Sequence, residues 1–126
     1  MSVLHQNRRL WQRHVLAENK RSIDGLLETL CDDPLYKIMA TNEKYQGKDA
    51  VAMFYRGLFE GVPDAIFELI NVFVGEEGVV EESIFRGTHT GRLFGLEPTG
   101  KVFALPITIV FPIMNEQILG ERLYFD

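Results

Sequence analysis

Residues 79–126 constrain the fold more than any other part of the chain. Three apolar runs follow one another there: residues 79–86, 101–113 and 117–126. Gly87-Thr88-His89-Thr90-Gly91, Gly95 and Pro98-Thr99-Gly100 separate the first two, and Met114-Asn115-Glu116 separates the last two. Val79, Val80, Ile84, Val102, Phe103, Ile107, Ile109, Val110, Phe111 and Tyr124 are β-branched or aromatic, which suits a pleated, half-buried surface. The connections are too short for a crossover helix, so the runs predict an antiparallel meander. Two glutamates, Glu82 and Glu121, sit inside these otherwise apolar runs. A carboxylate on a covered strand face is costly unless it is paired, which makes both of them candidate functional groups.

Upstream, the hydrophobic spacing predicts a helix over residues 3–19. Leu4, Leu10, Trp11, His14 and Val15 fall near one stripe, with Arg8, Arg9, Gln12, Arg13 and Glu18 on the other side. Ser22 is a candidate N-cap for a short second helix over residues 23–30, with Leu26, Leu27 and Leu30 inward. Asp32-Asp33-Pro34 closes it, because proline disfavours a helical residue before it. Residues 35–40 predict a short strand that places Tyr36 beside Ile38 on its apolar side, and residues 41–47 a turn. A third helix over residues 48–60 has Val51, Phe54, Tyr55, Leu58 and Phe59 as its buried stripe and ends at Gly61 and Pro63. Residues 65–74 form the next strand, and Gly75-Glu76-Glu77-Gly78 a polar hairpin turn. This order predicts one α+β domain over residues 1–126, with helices packed on one face of a curved, mostly antiparallel sheet.

The charge balance excludes some functions. With 13 Lys and Arg against 18 Asp and Glu, the net charge is -5. A nucleic-acid partner is therefore not expected, since it would want clustered cations. Arg8, Arg9 and Arg13 read as a solvated helix face. Cys31 is the single cysteine; it is a buried small hydrophobe or, less in keeping with its surroundings, a nucleophile, and a reducing cytoplasm is the expected compartment. No apolar stretch approaches the roughly 20 residues that cross a bilayer, so no membrane association is expected.

The phosphate-cradling glycine loop, the zinc helix and the nucleophile elbow are all absent from the sequence. His5, His14 and His89 lack close ligand spacing, so a metal site is not expected. What remains is an apolar cavity with a few polar groups, the usual form of a small-molecule site. Adjacent strand residues face opposite ways, and Glu82 shares its side with Val80 and Ile84, so Glu82 rather than Glu81 is expected inside. Glu121 shares its side with Leu119, Leu123 and Phe125. Two other readings stay open: an edge strand with both glutamates solvated, and Glu121 as the cross-strand partner of an arginine. Two carboxyls in one apolar interior repel, so one keeps its proton, which suits general acid–base work. On this reading Glu82 is the base and Glu121 its partner carboxyl. His14 and Tyr36 are donors to an enolate-like oxygen, and Tyr55, His89 and Thr108 are further substrate contacts. His89 has a structural alternative, as the centre of a glycine-flanked bulge.

These residues also resemble a known family. Gly87-Thr88-His89-Thr90-Gly91, Gly95, Pro98-Thr99-Gly100-Lys101 and Glu121-Arg122-Leu123-Tyr124-Phe125-Asp126 are similar to segments of the SnoaL-like polyketide cyclases. Those belong to the cone-shaped α+β superfamily named for nuclear transport factor. Asp32-Asp33-Pro34, Gly47-Lys48-Asp49-Ala50-Val51 and Pro63-Asp64 fit the same pattern in the same order, so the likeness spans most of the chain. It implies a conical, partly closed sheet around a long helix, an apolar cavity, a small apolar substrate, no metal or cofactor, and a homodimer through the sheet. Cyclases of this kind close a ring by an aldol step, using an inward acid on the last strand and a histidine on the strand before. Those two positions fall here near Leu123 or Tyr124 and near Thr108. A relocated acid–base pair is one expectation; the other is a non-catalytic binding or dimerisation module on the same scaffold.

Overall fold

The computed structural model describes residues 1–93 and 95–126. Helices α1 (Val3–Asn19) and α2 (Ile23–Glu28) lead into strands β1 (Leu30–Ile38) and β2 (Glu43–Gln46). Helix α3 (Lys48–Gly61) follows, then β3 (Ile66–Val74), β4 (Gly78–Thr88), β5 (Val102–Met114) and β6 (Gln117–Tyr124). The strands form a curved, unclosed sheet in the order β2-β1-β6-β5-β4-β3, with β3 to β6 as the expected antiparallel meander. Among the described residues only β1 and β6 run parallel, the chain between them passing through α3 and the meander.

Local chemistry accounts for the helix boundaries. Ser2 accepts from the His5 amide at 3.2 Å and caps α1. The helix ends with Arg21 at φ 56, the Ser22 amide returning to the Ala17 carbonyl at 2.9 Å and the Arg21 amide to that of Glu18 at 3.0 Å. Such a left-handed closing residue satisfies the last carbonyls. Ser22 then caps α2 by accepting from the Gly25 amide at 3.0 Å.

Two boundaries differ from expectation. Helix α2 stops at Glu28, and β1 begins at Leu30, so Asp32-Asp33-Pro34 lies inside a strand. The β1–β6 register shifts between Leu30 and Leu35, and proline is tolerated at such an irregularity. The expected turn after β1 holds the short edge strand β2, whose Tyr45 pairs with Tyr36.

The core lies between the helices and one sheet face, around Leu26, Tyr36, Val51, Tyr55, Phe111 and Ile118. On β4, Val79, Glu81, Ser83 and Phe85 point into it, while Val80, Glu82, Ile84 and Arg86 point away. The opposite sheet face leaves Ile66, Phe73 and Tyr124 exposed. Among the described residues no helix is long and apolar enough to cross a membrane.

Candidate functional site

Helix α1 carries a polar column on its inward face: Asn7, Trp11, His14 and Glu18. Asn7 holds the β3–β4 turn, donating to the Gly75 carbonyl at 2.9 Å and that of Glu76 at 3.1 Å. The Trp11 indole donates to Glu81 Oε1 at 3.0 Å, and the Ser83 hydroxyl to Glu81 Oε2 at 2.6 Å.

His14 is the centre of a buried network whose proton directions follow from counting. The Thr29 hydroxyl has one proton and donates it to the Leu26 carbonyl at 2.7 Å. It must therefore accept from His14 Nδ1, 2.7 Å away, which assigns a proton to Nδ1. His14 Nε2 faces Glu121 Oε2 at 2.9 Å and the Tyr55 hydroxyl at 3.2 Å. The Tyr55 hydroxyl donates to the same Glu121 oxygen at 3.0 Å, so the Tyr36 hydroxyl, 2.5 Å from that of Tyr55, donates to Tyr55. A single proton then serves the His14 Nε2 to Glu121 Oε2 contact. Burial, then the Glu121 charge, push both phenols well above their usual range and keep them as donors.

Beside this network lies a cavity of about 410 Å³. Glu18, Tyr55 and Glu121 are polar groups on its wall, and Phe54, Phe67, Phe85, Ile107, Ile109 and Leu123 supply much of the rest. Exposed Thr41, Glu43 and Leu96 form its rim. A larger depression of about 820 Å³ crosses the outer sheet face, but it is an open groove around Phe73, Val80 and Arg122. Glu18 differs from its neighbours: among the described residues no donor reaches its carboxyl. Burial foremost, then the charges of Glu121 and Glu81, push that carboxyl well above the usual range, with Arg21 opposing.

The structure brings His14, Tyr36, Tyr55 and Glu121 together. Tyr55 and Glu121 line the cavity, with His14 and Tyr36 one hydrogen bond behind. Three expectations of placement are corrected. Glu82 is exposed on the outer face, where it accepts from Asn71 at 3.4 Å, and Glu81 is the buried member of the pair, at 5% exposure. The reason is tertiary: Trp11 and Ser83 satisfy Glu81, whereas Val80 and Ile84 remain only half-buried outside. Thr108 is the register partner of Glu82 and shares that outer face. His89 is buried at the end of β4, its Nδ1 3.1 Å from the Thr99 hydroxyl, and does not line the cavity. Glu18, expected on the solvent side of α1, was missed. It lies one helical turn beyond His14, so the i, i+4 spacing placed it on the same face.

Buried Glu81 has a consequence for stability. Burial raises its carboxyl above the ordinary 4.5, and the Ser83 and Trp11 bonds only partly offset this. A raised acid stabilises the fold fully below the unfolded value, and that contribution is lost as pH rises through the native value. Glu18 acts in the same sense. Asp64, held low by the Thr88 amide and hydroxyl, acts in the opposite one, losing its contribution as pH falls below 3.8. Glu81→Gln, with Ser83 turned to accept from the new amide, is expected to raise the melting temperature at about pH 7 and to flatten its fall above about pH 4.5. Thermal unfolding across pH checks this, and an unchanged slope in the variant contradicts it.

The comparisons with known proteins agree with this architecture. The family described as SnoaL-like polyketide cyclase matches residues 5–126. A candidate SnoaL-like polyketide cyclase from Jannaschia sp. CCS1 superposes with a TM-score of 0.90 at 22% identity, covering 100% of this chain and 89% of that one. Bal32a, from a soil-derived mobile gene cassette, gives 0.81 at 17% identity over 98% of this chain and 92% of its own. An NTF2-like protein of unknown function from Burkholderia pseudomallei K96243 gives 0.82 at 19% identity, over 100% and 92%. At such identities the likeness speaks to the fold. Among curated proteins none matches the chain.

Proposed function

This chain belongs to the SnoaL-like polyketide cyclase family, and from that premise we propose that it is a cofactor-independent acid–base enzyme acting on a small, largely apolar carbonyl compound. One observation carries the proposal: Glu18, whose carboxyl has no donor among the described residues, lines an apolar cavity beside the Glu121–Tyr55–His14 network. A carboxyl whose proton affinity is raised by burial is a stronger base when ionised, and works nearer neutral pH.

In this reading Glu18 takes the base role expected of Glu82. Its carboxylate removes a proton from the carbon next to the substrate carbonyl, and the electron pair moves onto the carbonyl oxygen. The Tyr55 hydroxyl turns its proton from Glu121 to that oxygen, and Glu121 keeps the proton it shares with His14 Nε2. Glu18 then returns its proton to another carbon in an isomerisation, or the enolate carbon attacks a second carbonyl in a ring closure and the new alkoxide takes the proton back from Glu18. Two copies pairing through the outer face, where Ile66, Phe73 and Tyr124 are exposed, and a reducing cytoplasm belong to the same proposal.

A non-catalytic binding module is the competing reading. It is favoured by Leu123, which sits apolar on the cavity wall near the family's acid position. Proton exchange separates the two. Small apolar ketones incubated with the protein in heavy water are expected to exchange their α-protons, and Glu18→Gln is expected to slow that exchange by about a hundredfold. Ketones that bind without exchanging select the binding module; undiminished exchange in Glu18→Gln removes Glu18 as the base.

A further inference from the structure

The ionisable lining of the cavity has one sign. Glu18, Glu43 and Glu121 face it, and among the described residues no lysine, arginine or histidine does. The nearest basic side chains are committed elsewhere. His14 stands behind Glu121 at 2.9 Å. The Arg21 guanidinium donates to the Ala65 carbonyl at 2.6 Å and that of Pro63 at 3.3 Å, and lies 5.2 Å from the centre of the Phe59 ring. Glu121 is satisfied by His14 and Tyr55, whereas Glu18 lines the cavity and, among the described residues, no donor reaches its carboxyl. Around it, Phe54, Phe67 and Phe85 present aromatic surface.

We infer that the cavity receives a lipophilic organic cation, its positive nitrogen set against Glu18 and its apolar body packed on Phe54, Phe67 and Phe85. Each part of the lining fits this ligand. A carboxylate in an apolar pocket lacks the counter-charge that would offset its desolvation, and an ammonium supplies it. The three phenyl side chains supply apolar surface for the body of the ligand. A carboxylate ligand of equal size meets Glu18 and Glu121 with like charge and is rejected. About 410 Å³ is room for a small ring system bearing one ammonium group.

The groups that bear on Glu18 are Glu121 on β6, Glu81 on β4, Tyr36 on β1, Tyr55 on α3 and Arg21 after α1. Arg21 alone among them carries positive charge. A permanent cation in the cavity therefore displaces the Glu18 proton, and its affinity rises with pH. The inference goes beyond the proton-transfer reading, because it needs no turnover and holds equally for a binding module.

Benzyltrimethylammonium, a permanent cation, and neopentylbenzene, its neutral isostere, test the inference by titration at mildly alkaline pH. The cation is expected to bind about tenfold more tightly or better. Glu18→Gln is expected to bring the two within about twofold, with neopentylbenzene binding as before, which also shows that the cavity is intact. Where Glu18 holds its proton, binding of the cation is expected to release it, seen as a buffer-dependent heat. Equal binding of the two probes to the wild type overturns the inference. So does a cation preference that survives Glu18→Gln, or no binding of the cation at millimolar concentration. The exchange assay uses neutral ketones, so a failure here and a failure of the acid–base reading are read separately.

Discussion

Alanine at position 120 is expected to cost the protein its fold. Gly120 has φ 150, and a Cβ built on it would lie 1.9 Å from the Leu35 carbonyl oxygen and 2.6 Å from its carbon. Those are backbone atoms of β1, which pairs in parallel with β6 at Leu35 and Gly120. Relief requires β1 to leave β6, and with it go the Tyr36 bond to Tyr55 and the link between β1–β2 and the rest of the sheet. The position also sets where Glu121 points. Val110 pairs with Arg122 and Ile113 with Ile118, so Leu119, Gly120 and Glu121 stand opposite only Phe111 and Pro112. The extra residue puts both Ile118 and Glu121 on the inner face, which strict alternation forbids. Gly120→Ala is expected to cost about 4 kcal/mol or more, in the range reserved for backbone and core disruption. Gly100, at φ 68 with open space around it, is the control; its alanine variant pays only the left-handed strain of about 1–2 kcal/mol. Urea unfolding compares the two, and equal midpoints would contradict this account of the bulge.

Glu121→Ala is the second large effect. It removes the carboxylate that His14 Nε2 and the Tyr55 hydroxyl share, leaving them only their own 3.2 Å contact in a site where the His14 and Glu121 side chains are 2% and 4% exposed. Losing one member of such a buried pair costs about 3–5 kcal/mol. His14→Ala is expected to cost a comparable amount, since it strands Glu121 and the Thr29 hydroxyl that received its Nδ1 proton. The two losses overlap, because each variant breaks the same contact. A double-mutant cycle is therefore expected to show a coupling of about 1–3 kcal/mol. Denaturant unfolding of the two single variants and the double variant measures it. If the single losses simply add, His14 and Glu121 do not act as one unit.

Much of the frame can be read along the chain. The capping serine at 22 and the stripe Val51, Phe54, Tyr55, Leu58 are local signals, and they mark helices with no knowledge of the rest. The meander follows from short connections between β-branched runs. His14, Tyr36, Tyr55 and Glu121 stand out because a polar atom on an apolar face needs a partner. Glu18 was equally accessible through its spacing from His14, but a glutamate among exposed arginines reads as solvent-facing until the cavity beside it is known. The extension of β1 back to Leu30 had no such signal, since Asp32-Asp33-Pro34 terminates helices and enters strands only where the register slips.

What the sequence by itself determined is the succession of helices and strands, their apolar faces and the antiparallel meander, because periodicity and turn chemistry act over a few residues. Only the tertiary structure decided which carboxyls turn inward. A strand with Glu81 and Glu82 side by side has two phases of nearly equal hydrophobicity, and the indole of Trp11, 70 positions away in the chain, selects one by giving Glu81 a donor. Gly120 makes the matching choice for Glu121, through a close approach to Leu35 that no local pattern announces.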